Sequence, residues 1–156
     1  MIPSLLNQAK LIWACEPKNY SGIAATAKWV SLKNYGRLYI WIITGVMAAA
    51  AAVTVRQSTV VAGTSSKAVT FTEFYHDETT SGTLVKETCS STFDIDTANK
   101  QYIIPIDPAQ LDVGNGFDCV TVAVASPGVA IDIYSVAYIL FQPRNAEDTP
   151  LTALLD

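Results

Sequence analysis

Stretches rich in Val, Ile and Thr recur along this chain, cut apart by clusters of Gly, Ser, Asn and Asp. The breaks fall roughly every ten to fifteen residues, the spacing of short strands joined by tight turns. Candidate strands are 28–32, 38–44, 51–59, 68–75, 83–93, 101–107, 117–125 and 133–141. Alternation is clearest where Val69, Phe71, Glu73 and Tyr75 interleave with Thr70, Thr72 and Phe74, and again from Cys119 to Val124. β-Branched residues suit a pleated, half-buried surface. The turns carry fitting chemistry in Ala62-Gly63-Thr64-Ser65, Thr80-Ser81-Gly82, Asp112-Val113-Gly114-Asn115-Gly116 and Ser126-Pro127-Gly128. Asp107 before Pro108 predicts one capped helical turn. The expected fold is all-β, an antiparallel sandwich of jelly-roll type, the simplest eight-stranded version. Residues 1–23 read as an N-terminal arm, 24–142 as the sandwich domain and 143–156 as a C-terminal tail. Within the arm, Leu5 to Ala14 suits either a short helix or an extended strand.

One segment offers a competing reading. Leu38 to Val55 holds no charge over 18 residues, the minimal length of a membrane helix. Its first half is β-branched and aromatic, its second half alanine-rich, and it runs directly into the alternating Val53-Thr54-Val55-Arg56. Two buried strands joined through a Gly/Ala turn account for the same residues, so no membrane partner is expected.

The length, 156 residues, suits one domain with a real core. Half the residues are apolar and 15% are charged, which excludes a disordered chain. The net charge of −4 is unevenly spread. Residues 1–37 hold five basic groups and one acid, whereas 38–156 hold five basic groups and thirteen acids. An acidic body repels phosphate, so no nucleic-acid partner is expected. Cys15, Cys89 and Cys119 lie far apart without metal-ligand spacing, and read as reduced thiols of a protein folded in a reducing compartment. Met1 to Ala14 shows neither the basic start nor the long apolar core of a secretory signal.

Chemistry-bearing clusters are sparse. His76-Asp77-Glu78 is the one histidine–carboxylate grouping, and it reads as a polar loop tip because no nucleophile motif or second ligand accompanies it. Asp94, Asp96, Asp107, Asp112 and Asp118 supply oxygen groups but lack the glycine and terminal glutamate of a helix–loop–helix calcium site. GxSxG, P-loop, GxGxxG and HExxH patterns are absent. No catalytic residue, cofactor or metal is therefore expected, and the chain is read as a non-enzyme.

Aromatic and basic residues coincide near the start. Trp13, Trp29, Trp41, Tyr20, Tyr35 and Tyr39 all fall within the first 41 residues. Core packing explains Trp41 and Trp29. Trp13 and Tyr20 lie in the basic arm, and aromatics beside Lys and Arg are what association surfaces favour. The candidate partner interface is Lys10, Trp13, Lys18, Tyr20, Lys28, Lys33 and Arg37.

Trp29-Val30-Ser31-Leu32-Lys33-Asn34-Tyr35-Gly36-Arg37-Leu38 resembles a stretch of small proteins encoded beside the capsid genes of tailed bacteriophages. Val61-Ala62-Gly63-Thr64, Lys67-Ala68, Asp112 to Val120, Ser135 to Leu140 and Pro143-Arg144 follow in the same order. The resemblance implies a virion structural protein, a head decoration or cement protein lying on the capsid exterior and bound to the major capsid protein. It implies assembly in the bacterial host cytoplasm and, by analogy with symmetric lattices, a homo-oligomer with the trimer favoured. Alternatives are a head-fibre base, connector or tail protein, and a carbohydrate- or host-surface-binding β module.

Overall fold

The structure, a computed structural model, describes residues 8–77, 82–126, 128 and 131–144. Its strands in chain order are β1 (Ala9–Asn19), β2 (Ala25–Thr26), β3 (Val30–Ser31), β4 (Tyr35–Met47), β5 (Ala51–Ser58) and β6 (Lys67–Ala68). They continue with β7 (Glu73–Asp77), β8 (Leu84–Thr88), β9 (Thr92–Ile95), β10 (Gln101–Ile106), β11 (Cys119–Val124) and β12 (Asp132–Pro143). All pairings are antiparallel. One sheet runs β1-β12-β4-β10-β7-β8; the other centres on β11 and β5, flanked by β2 and β3 on one side and β6 and β9 on the other.

Two irregularities hide a simple topology. On the β11 side, Thr26 faces Ala123 and Val30 faces Val120, so β2 and β3 are one strand carrying an extra residue. That is a β-bulge. On the β5 side, β6 pairs with Arg56 and Gln57 while β9 pairs with Ala51 to Thr54, two ends of one edge position. The β7–β8 hairpin lies between them in sequence and has joined the opposite sheet. With each of these read as one strand position, the sheets run 1-8-3-6 and 2-7-4-5, the strand order of a jelly roll. The sandwich expected from the sequence is thus the fold.

The uncharged run becomes two strands in different sheets. Leu38, Ile40 and Ile42 of β4 and Val53 and Val55 of β5 point into the shared core, all completely buried. The connection at Ala48–Ala50 is pinned by Asp132, whose Oδ1 accepts hydrogen bonds from the backbone N–H groups of Ala48 (2.5 Å) and Ala49 (3.1 Å). Among the described residues, no helix is long and apolar enough to cross a membrane.

Part of the expected N-terminal arm is a strand of the sandwich. Ile12 and Ala14 of β1 are buried while Leu11 and Trp13 are exposed, a period-2 pattern that docks one face on β12. Pro143, expected to open the C-terminal tail, closes β12. Residues 1–7 of the arm and 145–156 of the tail lie outside the described residues. The Asp107 cap is as expected: its side chain accepts from Ala109 N–H (2.9 Å), and Gln110 Oε1 accepts from Asp107 N–H (2.7 Å).

Candidate functional site

β1 ends its sheet, and its path along β12 is broken twice. Trp13 faces Ala137, Cys15 faces Val136 and Lys18 faces Tyr134, so the register shifts on either side of Cys15. Pro17 sits in the second irregularity, where its missing N–H removes no ladder bond. The irregular stretch lines a cleft of about 600 Å³ together with Ile23, Ala24 and Lys28. That is ample for a protruding side chain or short segment of a partner.

The cleft is firmly built. Tyr20 is buried and stacks on Tyr134, with ring centroids 4.4 Å apart, and its hydroxyl donates to Glu16 O at 2.9 Å. Lys18 stands 5.1 Å over the Tyr20 ring and 3.6 Å from Glu16. Lys28 N–H donates to Ala14 O (3.1 Å), tying the bulged segment of one sheet to β1 of the other. Trp13 rises at the rim, 55% exposed, beside Ile23 at 57%. Burial raises the Cys15 thiol above its ordinary range, so it stays protonated and poorly nucleophilic near neutral pH. The arrangement offers contacts and charge. It does not offer an activated nucleophile.

Of the seven sequence-predicted interface residues, the cleft gathers Trp13, Lys18, Tyr20 and Lys28. Tyr20 serves as wall rather than as contact. Lys10 lies further up β1, opposite Leu140. Lys33 sits in the turn after β3, on a separate groove of about 250 Å³ with Phe117 and Arg144. Arg37, on β4, is half-exposed and 3.8 Å from Asp107. The basic character seen along the sequence is therefore spread over four places.

His76 departs from the loop tip expected of it. It points inward from β7, 4% exposed, with Nε2 and Glu87 Oε1 2.8 Å apart, among Phe74 and Tyr102. Glu78 of the same cluster lies outside the described residues. The aspartates do not converge: Asp107 caps the helical turn, and Asp112 pairs with Lys67 and accepts from Asn115. Among the described residues, no group of three His, Cys, Asp or Glu is placed to hold a metal ion.

Sequence reading missed a larger feature, the outer face of the β1-to-β8 sheet. The register aligns Trp13, Ala137, Trp41, Ile103 and Tyr75 in one row across five strands. The signal was present in β4, where Leu38-Tyr39-Ile40-Trp41-Ile42-Ile43 is apolar in both phases of the alternation.

No protein-family model matches the chain, and no curated protein sequence does so either. Among solved structures, the chain is similar to the SPBc2 prophage-derived protein YomS, at 14% sequence identity. The match covers 85% of this chain and 91% of that one, with a TM-score of 0.49. A likeness this slight transfers no role.

Proposed function

We propose that this chain is a non-enzymatic structural protein of a tailed-phage virion, a decoration or cement protein that docks on the major capsid protein lattice. The observation that carries the reading is the β1 edge. There an exposed Trp13 and the cations of Lys18 and Lys28 flank a preformed cleft at the border of a sheet. An exposed strand edge is a template for an added strand from another chain. Trp13 is the natural anchor of such a contact, and the lysines steer approach to an acidic patch on the shell. The resemblance of Trp29 to Leu38 and its companion motifs to capsid-adjacent phage proteins points the same way. A rigid two-sheet body with an acidic outer surface suits the capsid exterior, away from packaged DNA.

Quantitative mass spectrometry of purified particles tests the reading. A decoration protein is present at on the order of hundreds of copies per particle, whereas a head-fibre base, connector or tail component is present in small multiples of the local symmetry. Combining Trp13→Ala with Lys28→Glu is expected to lower occupancy at least tenfold. Absence of the chain from particles overturns the proposal. Unchanged heat and osmotic stability of particles lacking it removes the cementing role.

A further inference from the structure

We infer that the outer face of the sheet formed by β1, β12, β4, β10 and β7 is covered by the same face of a second copy, in a two-fold pair. The inference does not rest on the proposed role in a virion: the face it concerns is centred on β12, β4 and β10, and Trp13, at the β1 edge of the sheet, is left to the cleft. It starts from a contrast between the two outer surfaces of one sandwich. On the β11/β5 sheet, outward positions include Thr54 and Arg56 of β5 and Thr92 and Asp94 of β9, the polar dress of a surface meant for water. On the other sheet, the outward positions beside Trp13 and Trp41 are Leu11, Tyr39, Ile103 and Ile139, one from each of four adjacent strands. Leu11 is 60% exposed and the rest of that set are half-buried.

Charge decides the occupant. The charged groups on this face lie at its margins, where Lys100 lines a groove with Trp41, Ile43 and Asp77, and three others are engaged within the chain. Arg37 pairs with Asp107, Glu73 pairs with Lys86, and Asp77 accepts from Gln101 Nε2 at 3.2 Å. Trp41 is likewise satisfied, its indole N–H donating to Gln101 Oε1 at 3.0 Å. A face whose described centre is uncharged suits an equally neutral partner. A second copy of a chain with net charge −4 meets least repulsion through a surface whose centre carries none of that charge. This face meets that condition.

Size agrees. Five strands at about 4.8 Å spacing and about 30 Å of strand length give a footprint on the order of 700 Å². A standard stable interface takes roughly 800 Å² from each partner. Two such sheets stack face to face at about 10 Å with strands nearly aligned, the geometry already used inside the sandwich. Because the same face serves both copies, the contact is closed by a two-fold axis and does not propagate.

The test is the mass of the full chain in solution, by light scattering or sedimentation over about 1–100 μM, the span of ordinary interface affinities. The wild type is expected at twice 16.8 kDa. Ile103→Lys with Ile139→Lys is expected to raise the dissociation constant at least a hundredfold and leave a monomer. Far-UV circular dichroism and a melting curve check that this variant remains folded, and Tyr39→Lys alone supplies a milder second perturbation. Lys28→Glu, at the cleft and off this face, is expected to leave the dimer unchanged. A wild-type monomer throughout the range, a trimer, or a dimer indifferent to the face substitutions overturns the inference.

Discussion

Gly63 shows how a single position can fix a turn in this protein. Its φ is +72°, and a Cβ added there would lie 2.4 Å from Trp29 Nε1 and 2.6 Å from Trp29 Cε2. The turn therefore needs glycine twice, for its left-handed backbone and for the indole laid against it. Gly63→Ala is expected to cost roughly 2–4 kcal/mol, read as a lowered melting temperature with the fold retained. Buried ionisable groups set the behaviour at high pH. Burial, reinforced by the hydrogen bond to Asp118, pushes the Cys119 thiol up to about 12 from 9.0. Burial also raises the Tyr20 and Tyr134 hydroxyls, each further raised by a neighbour: Cys15 for Tyr20, and Tyr20 for Tyr134. All three are neutral acids held protonated in the fold, while the unfolded chain releases those protons first. Their contribution is present below the unfolded values and fades as pH climbs through the folded ones. Denaturant titrations are expected to show stability level from pH 7 to 9 and falling from pH 9 to 12, with a shallower fall for Cys119→Ser. A flat profile across that window would contradict the assignment.

At the scale of elements, three polar side chains hold the sandwich in register. In the bulge between β2 and β3, the backbone of β11 loses part of its ladder. Tyr138, reaching across from β12, accepts from Val122 N–H at 3.1 Å, and Thr121 Oγ1 donates to Ala27 O at 3.0 Å. Tyr138→Phe leaves a buried N–H without that acceptor and is expected to cost about 1–3 kcal/mol in chemical denaturation. Asp132 does comparable work at the β4–β5 turn, and its own N–H donates to Asn19 Oδ1 (3.2 Å) at the end of β1. Asp132→Ala is expected to cost roughly 2–4 kcal/mol, with faster amide exchange at Ala48 and Ala49. The strands themselves were legible: β4, β5, β10, β11 and β12 follow from β-branched runs and turn residues. The jelly-roll order was legible only as the simplest option. The bulge at Lys28 and the hairpin β7–β8 come from long-range pairing that local pattern does not encode. His76 was misread for the same reason, since only the register with Tyr102 places it inside.

Considered whole, the molecule keeps one sheet surface polar and leaves the other apolar. Sequence reading found the basic and aromatic concentration near the N-terminus, and the fold turns part of it into the cleft at β1. It could not find the apolar face, because alternation read strand by strand gives inward and outward phases no labels when both are hydrophobic. Tyr39, Trp41 and Ile43 looked like more core. In the fold they are surface. Under the proposed function, the cleft bearing an exposed tryptophan and the apolar flank are the surfaces that meet other chains. The most direct measurement is binding of the purified chain to isolated phage heads that lack it, followed by co-sedimentation and imaging of the added density. The account predicts saturable binding at on the order of hundreds of copies per head, lost when Trp13→Ala is combined with Lys28→Glu. Heads that take up no protein at saturating concentration would contradict it.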